Sequence, residues 1–293
     1  MDRGFVRAGH RIVWANEWNR DACASYEKSL HVKPLCQDIR TVESFPDADI
    51  MVACNPCQGF SMIGLRNPRD SRNFLYKEIV RCLLLVRPKF FVTENVRGLC
   101  SLYGGQFLQK MMLDCTKAGY NVSWRVLNAK NYGVPQDRWR LFIVGVRKDL
   151  NFVYDFPEST HGLGKTPYIT LKESIGNLPE PRKGEFFDDN RFSSFYMSRN
   201  RRRAWDEVSF TIQASGRHTP LHPSSPPMKR ICKDVWRFEG DLSKVRRLSV
   251  RECALIQSFE KDDEFLGNME SQYLQIGNAV PPLLAYNIAT PFS

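Results

Sequence analysis

The alternation of short β-rich runs with helix-like stretches between residues 11 and 146 most constrains how this chain can fold. The candidate strands are 11–15, 50–53, 90–93, 122–127 and 141–146. The candidate helices are 20–30, 73–86 and 106–117. This pattern is typical of an α/β domain with a mainly parallel, doubly wound sheet.

The sequence changes character near Pro157, where Pro, Gly, Ser and Arg become frequent and periodicity weakens. A capping box formed by Ser249 and Glu252 then predicts a helix over 249–259, and a last helix is predicted over 283–290. We therefore divide the chain into an α/β domain (1–156), a small loop-rich domain (157–245) and a C-terminal segment that returns to the first domain (246–293).

The charge is unevenly distributed. The chain carries 42 Lys and Arg against 32 Asp and Glu, a net charge of +10. Between Arg182 and Lys233 there are eleven basic and five acidic residues, which gives this segment a charge of +6. Such a segment is either a solvated basic surface or a surface that binds phosphate groups.

Cysteine usage and hydropathy indicate a soluble protein in a reducing compartment. Nine cysteines without a repeating spacing do not suggest a disulfide framework. No apolar run approaches the roughly 18 residues of a membrane span, and the N-terminus lacks a signal-peptide core. We expect a cytoplasmic protein, or a nuclear one in a eukaryote, and a monomer.

Polar groups lie at the ends of several predicted strands. Glu17 and Glu94 follow strands, Cys54 and Cys57 follow the strand 50–53, and two arginines precede the strand 141–146. Ligands of open α/β sheets bind where such strand ends converge. Taken alone, the Cys-x-x-Cys pair fits a redox pair, half of a metal site or one nucleophile, and each other group could be structural. No second Cys-x-x-Cys or His pair completes a zinc site, so no metal is expected.

Five motifs occur in a fixed order along the chain. They are Pro56-Cys57-Gln58-Gly59-Phe60-Ser61, Glu94-Asn95-Val96, Gln136-x-Arg138-x-Arg140, Arg247-Leu248-Ser249-Val250-Arg251-Glu252 and Gln275-Ile276-Gly277-Asn278-Ala279-Val280-Pro281-Pro282. Their order and spacing resemble those of the DNA (cytosine-5)-methyltransferase family, from Gly4 to the end. The resemblance implies a Rossmann-like S-adenosylmethionine-dependent methyltransferase fold, with residues 157–245 as the target-recognition domain.

The resemblance also implies a mechanism. Cys57 would add to C6 of cytosine, which activates C5 for methylation. Glu94 would contact the N3 edge of the base, while Arg140, and less directly Arg138, would orient the base through its O2 atom. The target base would have to flip out of the DNA duplex, because its C5 atom is inaccessible in the stack.

The same resemblance implies residues for the methyl donor, S-adenosylmethionine. Glu17 would bind the ribose, Trp18 would stack on the adenine, and Asp38 would accept from the adenine amino group. Trp18 could instead pack in the core, and Asp38 could instead cap a loop. The complete predicted set is Glu17, Trp18, Asp38, Ile39, Pro56 and Asn278.

For the DNA, the resemblance places Thr211 and Ile212 against the flipped nucleotide. Gln213, Arg217 and His218 are candidate readers of base edges. The complete predicted DNA-binding set is Gln58, Ser61, Arg201, Thr211, Ile212, Gln213 and Arg217. The expected partners are duplex DNA and a cognate restriction endonuclease. An RNA cytosine-5 methyltransferase and a non-catalytic DNA-binding remnant are the alternatives.

One motif of the family is incomplete. Family members begin with Asp-Leu-Phe-x-Gly-x-Gly-Gly, and here only its tail is found at Met1-Asp2-Arg3-Gly4-Phe5. We expect either a start upstream of Met1 or a truncated form with weak activity. In both cases the strands beside the missing one should have exposed edges.

Overall fold

The computed structural model describes residues 1–54, 75–189 and 192–293. It divides into two compact units. The first comprises residues 1–128, 139–158 and 285–293, and the second comprises residues 129–138 and 159–284. The change at 158/159 lies close to the predicted boundary after 156, whereas residues 246–284 belong to the second unit. The assignment of functions to these units stays a prediction.

The first unit contains two groups of strands. Strands β1 (Asn16–Glu17) and β2 (Leu35–Cys36) form a parallel pair. The second group is a four-stranded sheet of β3 (Ile50–Ala53), β4 (Phe90–Val96), β5 (Tyr120–Asn128) and β6 (Trp139–Arg147). Its spatial order is β3-β4-β6-β5. β3 and β4 are parallel, and β6 runs antiparallel to both β4 and β5.

Four of the five predicted strands are confirmed, and one is wrong. Residues 11–15 form no strand; pairing begins at Asn16, opposite Leu35. The Ala15 carbonyl accepts from the Leu35 N–H at 2.8 Å, but within the described residues no strand pairs along 11–14. β3 likewise pairs only with β4 there, so its other edge has no strand partner in this part of the chain.

The helices of the first unit follow the apolar periodicity. They are α1 (Asp2–Arg7), α2 (Arg20–Leu30), α3 (Tyr76–Val86) and α4 (Gln106–Lys117). The side chain of Asn19 caps α2 by accepting from the Ala22 N–H, and His31 ends it in the left-handed conformation at φ 55°. Ile79 and Leu83, which lie on one face of α3, are buried in the core.

The second unit is rich in loops. It contains α5 (Leu171–Ile175), a hairpin of β7 (Met228–Cys232) and β8 (Val235–Phe238), α6 (Val250–Ile256) and α7 (Met269–Asn278). The capping box of Ser249 and Glu252 is confirmed. The last helix, α8 (Pro282–Ala289), continues from the second unit into the first. Within the described ranges, every helix is too short or too polar to cross a membrane.

Candidate active site

The centre of the candidate site in the first unit is an ion pair between Glu94 and Arg140. The Arg140 Nε atom lies 2.7 Å from a carboxylate oxygen of Glu94, and both side chains are largely buried. Glu94 of β4 stands opposite Phe142 of β6, two residues from Arg140, so the two charged side chains share one face of the sheet. The structure therefore brings together two of the predicted catalytic residues.

A buried ion pair is compatible with a stable fold only while both charges are present. Removing either charge from a buried pair leaves the other uncompensated, at a cost of about 3–5 kcal/mol. The pair thus holds the Glu94 carboxylate in a fixed position on the sheet.

Arg138 has a different environment. It is fully buried in the second unit. Its guanidinium donates to the carbonyl oxygens of Ile212 at 3.0 Å, Gly277 at 2.7 Å and Ala279 at 2.9 Å. Because these N–H groups bond to backbone, Arg138 positions the segments around it and does not present its guanidinium to a base. The predicted role of Arg138, which was less direct than that of Arg140, stays a prediction, and these contacts favour an indirect one.

Two buried glutamines, Gln136 of the third motif and Gln257, complete this network, and neither was among the predicted site residues. The Gln136 side chain donates to that of Gln257, and its oxygen accepts from the Ile212 N–H at 2.8 Å. Gln257 donates in turn to the carbonyls of Ile276 at 2.9 Å and Ala279 at 2.8 Å. The available signal was the position of Gln257, one helical turn after buried Cys253, where an apolar residue is expected.

The adenosine-binding candidates cluster at the start of α2. One Glu17 carboxylate oxygen accepts from the backbone N–H groups of Trp18 and Asn19, both at 2.8 Å. The Trp18 side chain is 77% exposed, so core packing is excluded and its ring is free to stack on a ligand. Glu17 and Trp18 therefore fit an adenosine ligand.

Asp38 acts as a cap in this structure. Its carboxylate accepts from the Arg40 backbone and forms an exposed ion pair with the Arg40 guanidinium. These hydrogen bonds lower the pKa of Asp38 to about 2. Ile39 follows directly in the turn that Asp38 caps.

Cys54 follows the last residue of β3. Its side chain is accessible to solvent. It nevertheless lies deep enough that desolvation raises the pKa of its thiol to about 12. A raised thiol pKa disfavours the thiolate at neutral pH, and Cys57 stays the predicted nucleophile. Cys57, Pro56, Gln58 and Ser61 lie outside the described residues.

The predicted DNA-binding residues of the second unit divide into exposed and buried groups. Arg217 is exposed and Gln213 is half-buried, and the Thr211 hydroxyl donates to the Asp137 carbonyl at 2.7 Å. Ile212 is fully buried in the core of this unit. Arg201 is 4% exposed and donates to the carbonyls of Tyr196 and Phe195. Direct DNA contact by Ile212 or Arg201 is inconsistent with these positions. Asn278, predicted to bind the cofactor, is exposed at the end of α7.

No group of three metal-ligating side chains occurs among residues 1–54, 75–189 and 192–293.

The family model of the C-5 cytosine-specific DNA methylases matches residues 1–292. The chain belongs to this family. Among characterised relatives of this methylase, Type II methyltransferase M.BspRI of Lysinibacillus sphaericus is 46% identical over 94% of the chain and 68% of the relative. Type II methyltransferase M.FnuDI of Fusobacterium nucleatum is 40% identical over 99% of the chain and 90% of the relative.

Solved structures support the fold of the methylase. The Entamoeba histolytica methyltransferase EhMeth superposes with a TM-score of 0.69 at 15% identity, covering 98% of this chain and 92% of that one. At that identity the likeness concerns the fold alone, and it confirms the predicted α/β fold class.

Proposed function

We propose that this methylase transfers a methyl group from S-adenosylmethionine to C5 of a cytosine in duplex DNA, through a covalent adduct with Cys57. The observation that carries the proposal is the buried Glu94–Arg140 ion pair at the end of β4, in a chain of the cytosine-5 family. We further propose that the protein acts as the modification enzyme beside a cognate restriction endonuclease, in line with the Type II names of its relatives.

The chemistry explains why an ion pair of this kind is needed. Cytosine C5 is a poor nucleophile until a thiolate adds to C6, and negative charge then builds on the ring towards N3. Glu94 would share a proton with N3 and so stabilise that charge. Arg140, held at 2.7 Å from Glu94, fixes the direction of the carboxylate. Its Nη1 atom donates to the Trp139 carbonyl at 2.8 Å, and its other N–H groups would be offered to the base.

Residues of the first unit would hold the methyl donor. Trp18 offers an exposed ring for adenine, and Glu17, at the end of β1, offers a carboxylate for the ribose hydroxyls. Asp38 would reach the adenine amino group only by loosening its ion pair with Arg40. S-adenosylmethionine supplies an electrophilic methyl group when bound.

The decisive experiment tests whether the Cys57 thiol is the nucleophile. A duplex that contains 5-fluorocytosine should trap the wild type as a covalent adduct, because the fluorine cannot leave as the C5 proton does. Cys57→Ser should form no adduct and transfer no labelled methyl group to DNA. Cys54→Ala, the matched control, should retain both activities.

Other outcomes would separate the alternatives. Methyl transfer to RNA but not to duplex DNA would favour the RNA methyltransferase. DNA binding with neither adduct nor transfer would favour the non-catalytic protein. An adduct that persists in Cys57→Ser but disappears in Cys54→Ala would contradict the assignment of the nucleophile.

A further inference from the structure

Two cysteine thiols lie beside the residues proposed to bind the adenosine part of the methyl donor. The Cys23 thiol, near the start of α2, donates to the Glu17 carbonyl at 3.3 Å. The Cys36 thiol, on β2, donates to the Trp18 carbonyl at 4.0 Å. Glu17 and Cys36 also stand opposite each other in the register of β1 and β2. The two thiols therefore contact neighbouring peptide groups of one short segment.

The two thiols differ in accessibility. Cys23 is only 8% exposed, whereas Cys36 is open to solvent. Burial, together with the interaction with Cys36 and the charge of Glu17, raises the pKa of the Cys23 thiol to about 12. Cys23 therefore stays protonated at neutral pH, and Cys36 is the thiol that an oxidant in solution reaches first.

The arrangement suits thiol oxidation better than metal binding. A structural zinc site requires four ligands. Over the described ranges, neither Cys23 nor Cys36 belongs to a group of three metal-ligating side chains. One accessible thiol beside one buried thiol is instead the arrangement of an oxidisable cysteine with a resolving partner.

We propose that Cys23 and Cys36 form a reversible disulfide on exposure to a peroxide, and that this disulfide weakens the binding of S-adenosylmethionine. The second part rests on the proposed function, because it takes Glu17 and Trp18 as the adenosine site. In a reducing compartment such a disulfide is transient, as in redox-sensing proteins.

The reaction with hydrogen peroxide takes two steps. The Cys36 thiol loses its proton and attacks a peroxide oxygen; the O–O bond breaks, Cys36 becomes a sulfenic acid, and the departing hydroxide takes up a proton to give water. The Cys23 thiol then loses its proton and attacks the Cys36 sulfur; the S–S bond forms, the S–O bond breaks, and a second water leaves. Two thiols are thereby oxidised by two electrons, and one peroxide is reduced to two water molecules.

The disulfide alters the peptide groups that precede α2. It holds its two sulfur atoms about 2.05 Å apart, closer than any non-bonded contact. It also removes both S–H groups, so the carbonyls of Glu17 and Trp18 lose these donors. Because α2 begins directly after its cap Asn19, a displacement of Cys23 shifts the Glu17 and Trp18 side chains.

Peptide mass spectrometry of the full chain tests the cross-link directly. Trypsin cleaves after Lys28, so Cys23 and Cys36 fall in separate peptides, 21–28 and 29–40. After treatment with hydrogen peroxide the two peptides should be linked, and dithiothreitol should separate them. The link should be absent in Cys36→Ser. It should persist in the matched control Cys232→Ser, which removes an exposed cysteine of the second unit.

Dimedone, which reacts with sulfenic acids, tests the order of the two steps. It should label Cys36 in Cys23→Ser, because this variant lacks the resolving thiol. It should leave Cys23 unlabelled in Cys36→Ser, because burial and a raised pKa protect that thiol. A wild-type Cys36 that is oxidised only to sulfinic acid, or a link from either cysteine to a third one, would overturn the pairing.

Calorimetry with S-adenosylmethionine measures the consequence for the methyl donor. The oxidised wild type should bind about tenfold more weakly than the reduced protein, the effect of one or two misplaced hydrogen bonds, and dithiothreitol should restore the affinity. In Cys36→Ser the affinity should be the same before and after peroxide, whereas Cys232→Ser should respond as the wild type does. Equal binding by the linked and the reduced wild type would overturn the effect on the donor.

This inference and the proposed function can fail separately. If the reduced wild type does not bind S-adenosylmethionine, the proposed function fails, whereas linked peptides 21–28 and 29–40 would still support the modification site. If the reduced wild type binds the donor and methylates DNA but no linked peptides form, the inference is wrong and the proposed function stands.

Discussion

Glu94 is largely buried on β4 and forms an ion pair with Arg140. A carboxylate in this position can exchange a proton with a ring nitrogen, whereas an amide of the same size can only hydrogen-bond. The reactive role of Glu94 is therefore separable from its packing by one substitution.

Glu94→Gln should lower the rate of methyl transfer by about 10²-fold or more, because positioned general acids contribute 10²–10⁴-fold. The KM for S-adenosylmethionine should change little, because Glu94 acts on the base. Single-turnover transfer to duplex DNA measures the effect, with exposed Glu27→Gln on α2 as the control. A Glu94→Gln rate within twofold of the wild type would show that the charge of Glu94 is not used.

The two arginines of the third motif, Arg138 and Arg140, have different environments that the sequence alone does not predict. Spacing of two residues suggests that Arg138 and Arg140 share one face of a strand. β6 begins only at Trp139, so the alternation does not extend to Arg138. The partners of Arg138 include Ile212 and Ala279, which lie 74 and 141 residues away along the chain. Local pattern identified both arginines as important, but only long-range packing separates their roles.

At the scale of elements, helices were easier to predict than strands. The helices at 20–30 and 106–117 have the predicted bounds, because caps and periodicity are local properties. The failure at 11–15 concerns a strand whose existence depends on a partner far away in sequence. The buried glutamine network was unpredictable for the same reason, since Gln136 and Gln257 are 121 residues apart.

From the glutamine network we predict that Gln257 stabilises the fold and positions the loop that carries Thr211. Gln257→Leu should lower the free energy of unfolding by about 1–3 kcal/mol, because it leaves the carbonyls of Ile276 and Ala279 without this donor and removes an acceptor from Gln136. It should also raise the KM for DNA more than that for S-adenosylmethionine, since Ile212, the neighbour of Thr211, is held by Gln136.

Urea unfolding and steady-state kinetics measure these two effects. Gln109→Leu, at an exposed position of α4, is the control and should leave both unchanged. Equal increases in the two KM values would indicate a general loss of folded enzyme and contradict the positioning role.

At the scale of the whole molecule, the chain passes between its two units after residues 128, 138, 158 and 284. The segment 129–138 carries Gln136 and Arg138 in the second unit, and Arg140 lies in the first. One sequence motif thus supplies Arg140 to the ion pair of the first unit. The same motif supplies Gln136 and Arg138 to the hydrogen-bond network of the second unit. The predicted boundary at 156 lies near the third of these passages, whereas the short excursion of residues 129–138 has no compositional signal.

The stability of the folded chain should fall in mild acid because of His222. This side chain is buried beside Glu252, with its Nε2 atom 3.4 Å from the carboxylate, and Arg246 binds the same carboxylate at 2.9 Å. Desolvation lowers the pKa of His222 from 6.5 to about 4, with Arg246 adding to the shift and Glu252 and Glu180 opposing it.

The sign follows from the protons bound in each state. Between pH 6.5 and about 4 the unfolded chain holds a proton on His222 and the folded chain does not, so the free energy of unfolding decreases as the pH falls. The decrease between pH 7.5 and 4.5 should be about 2–3 kcal/mol from this group. Glu252, whose folded pKa is lowered despite its burial, stabilises the fold above its unfolded pKa and adds a further loss only in stronger acid.

Urea unfolding at a series of pH values checks this prediction. His222→Phe should remove most of the loss between pH 6.5 and 4.5, whereas His31→Phe, at an exposed position that ends α2, should retain it. His218 contributes in the same direction through its own lowered pKa, so a residual slope is expected in His222→Phe. An undiminished slope in that variant would show that His222 does not lose its proton on folding.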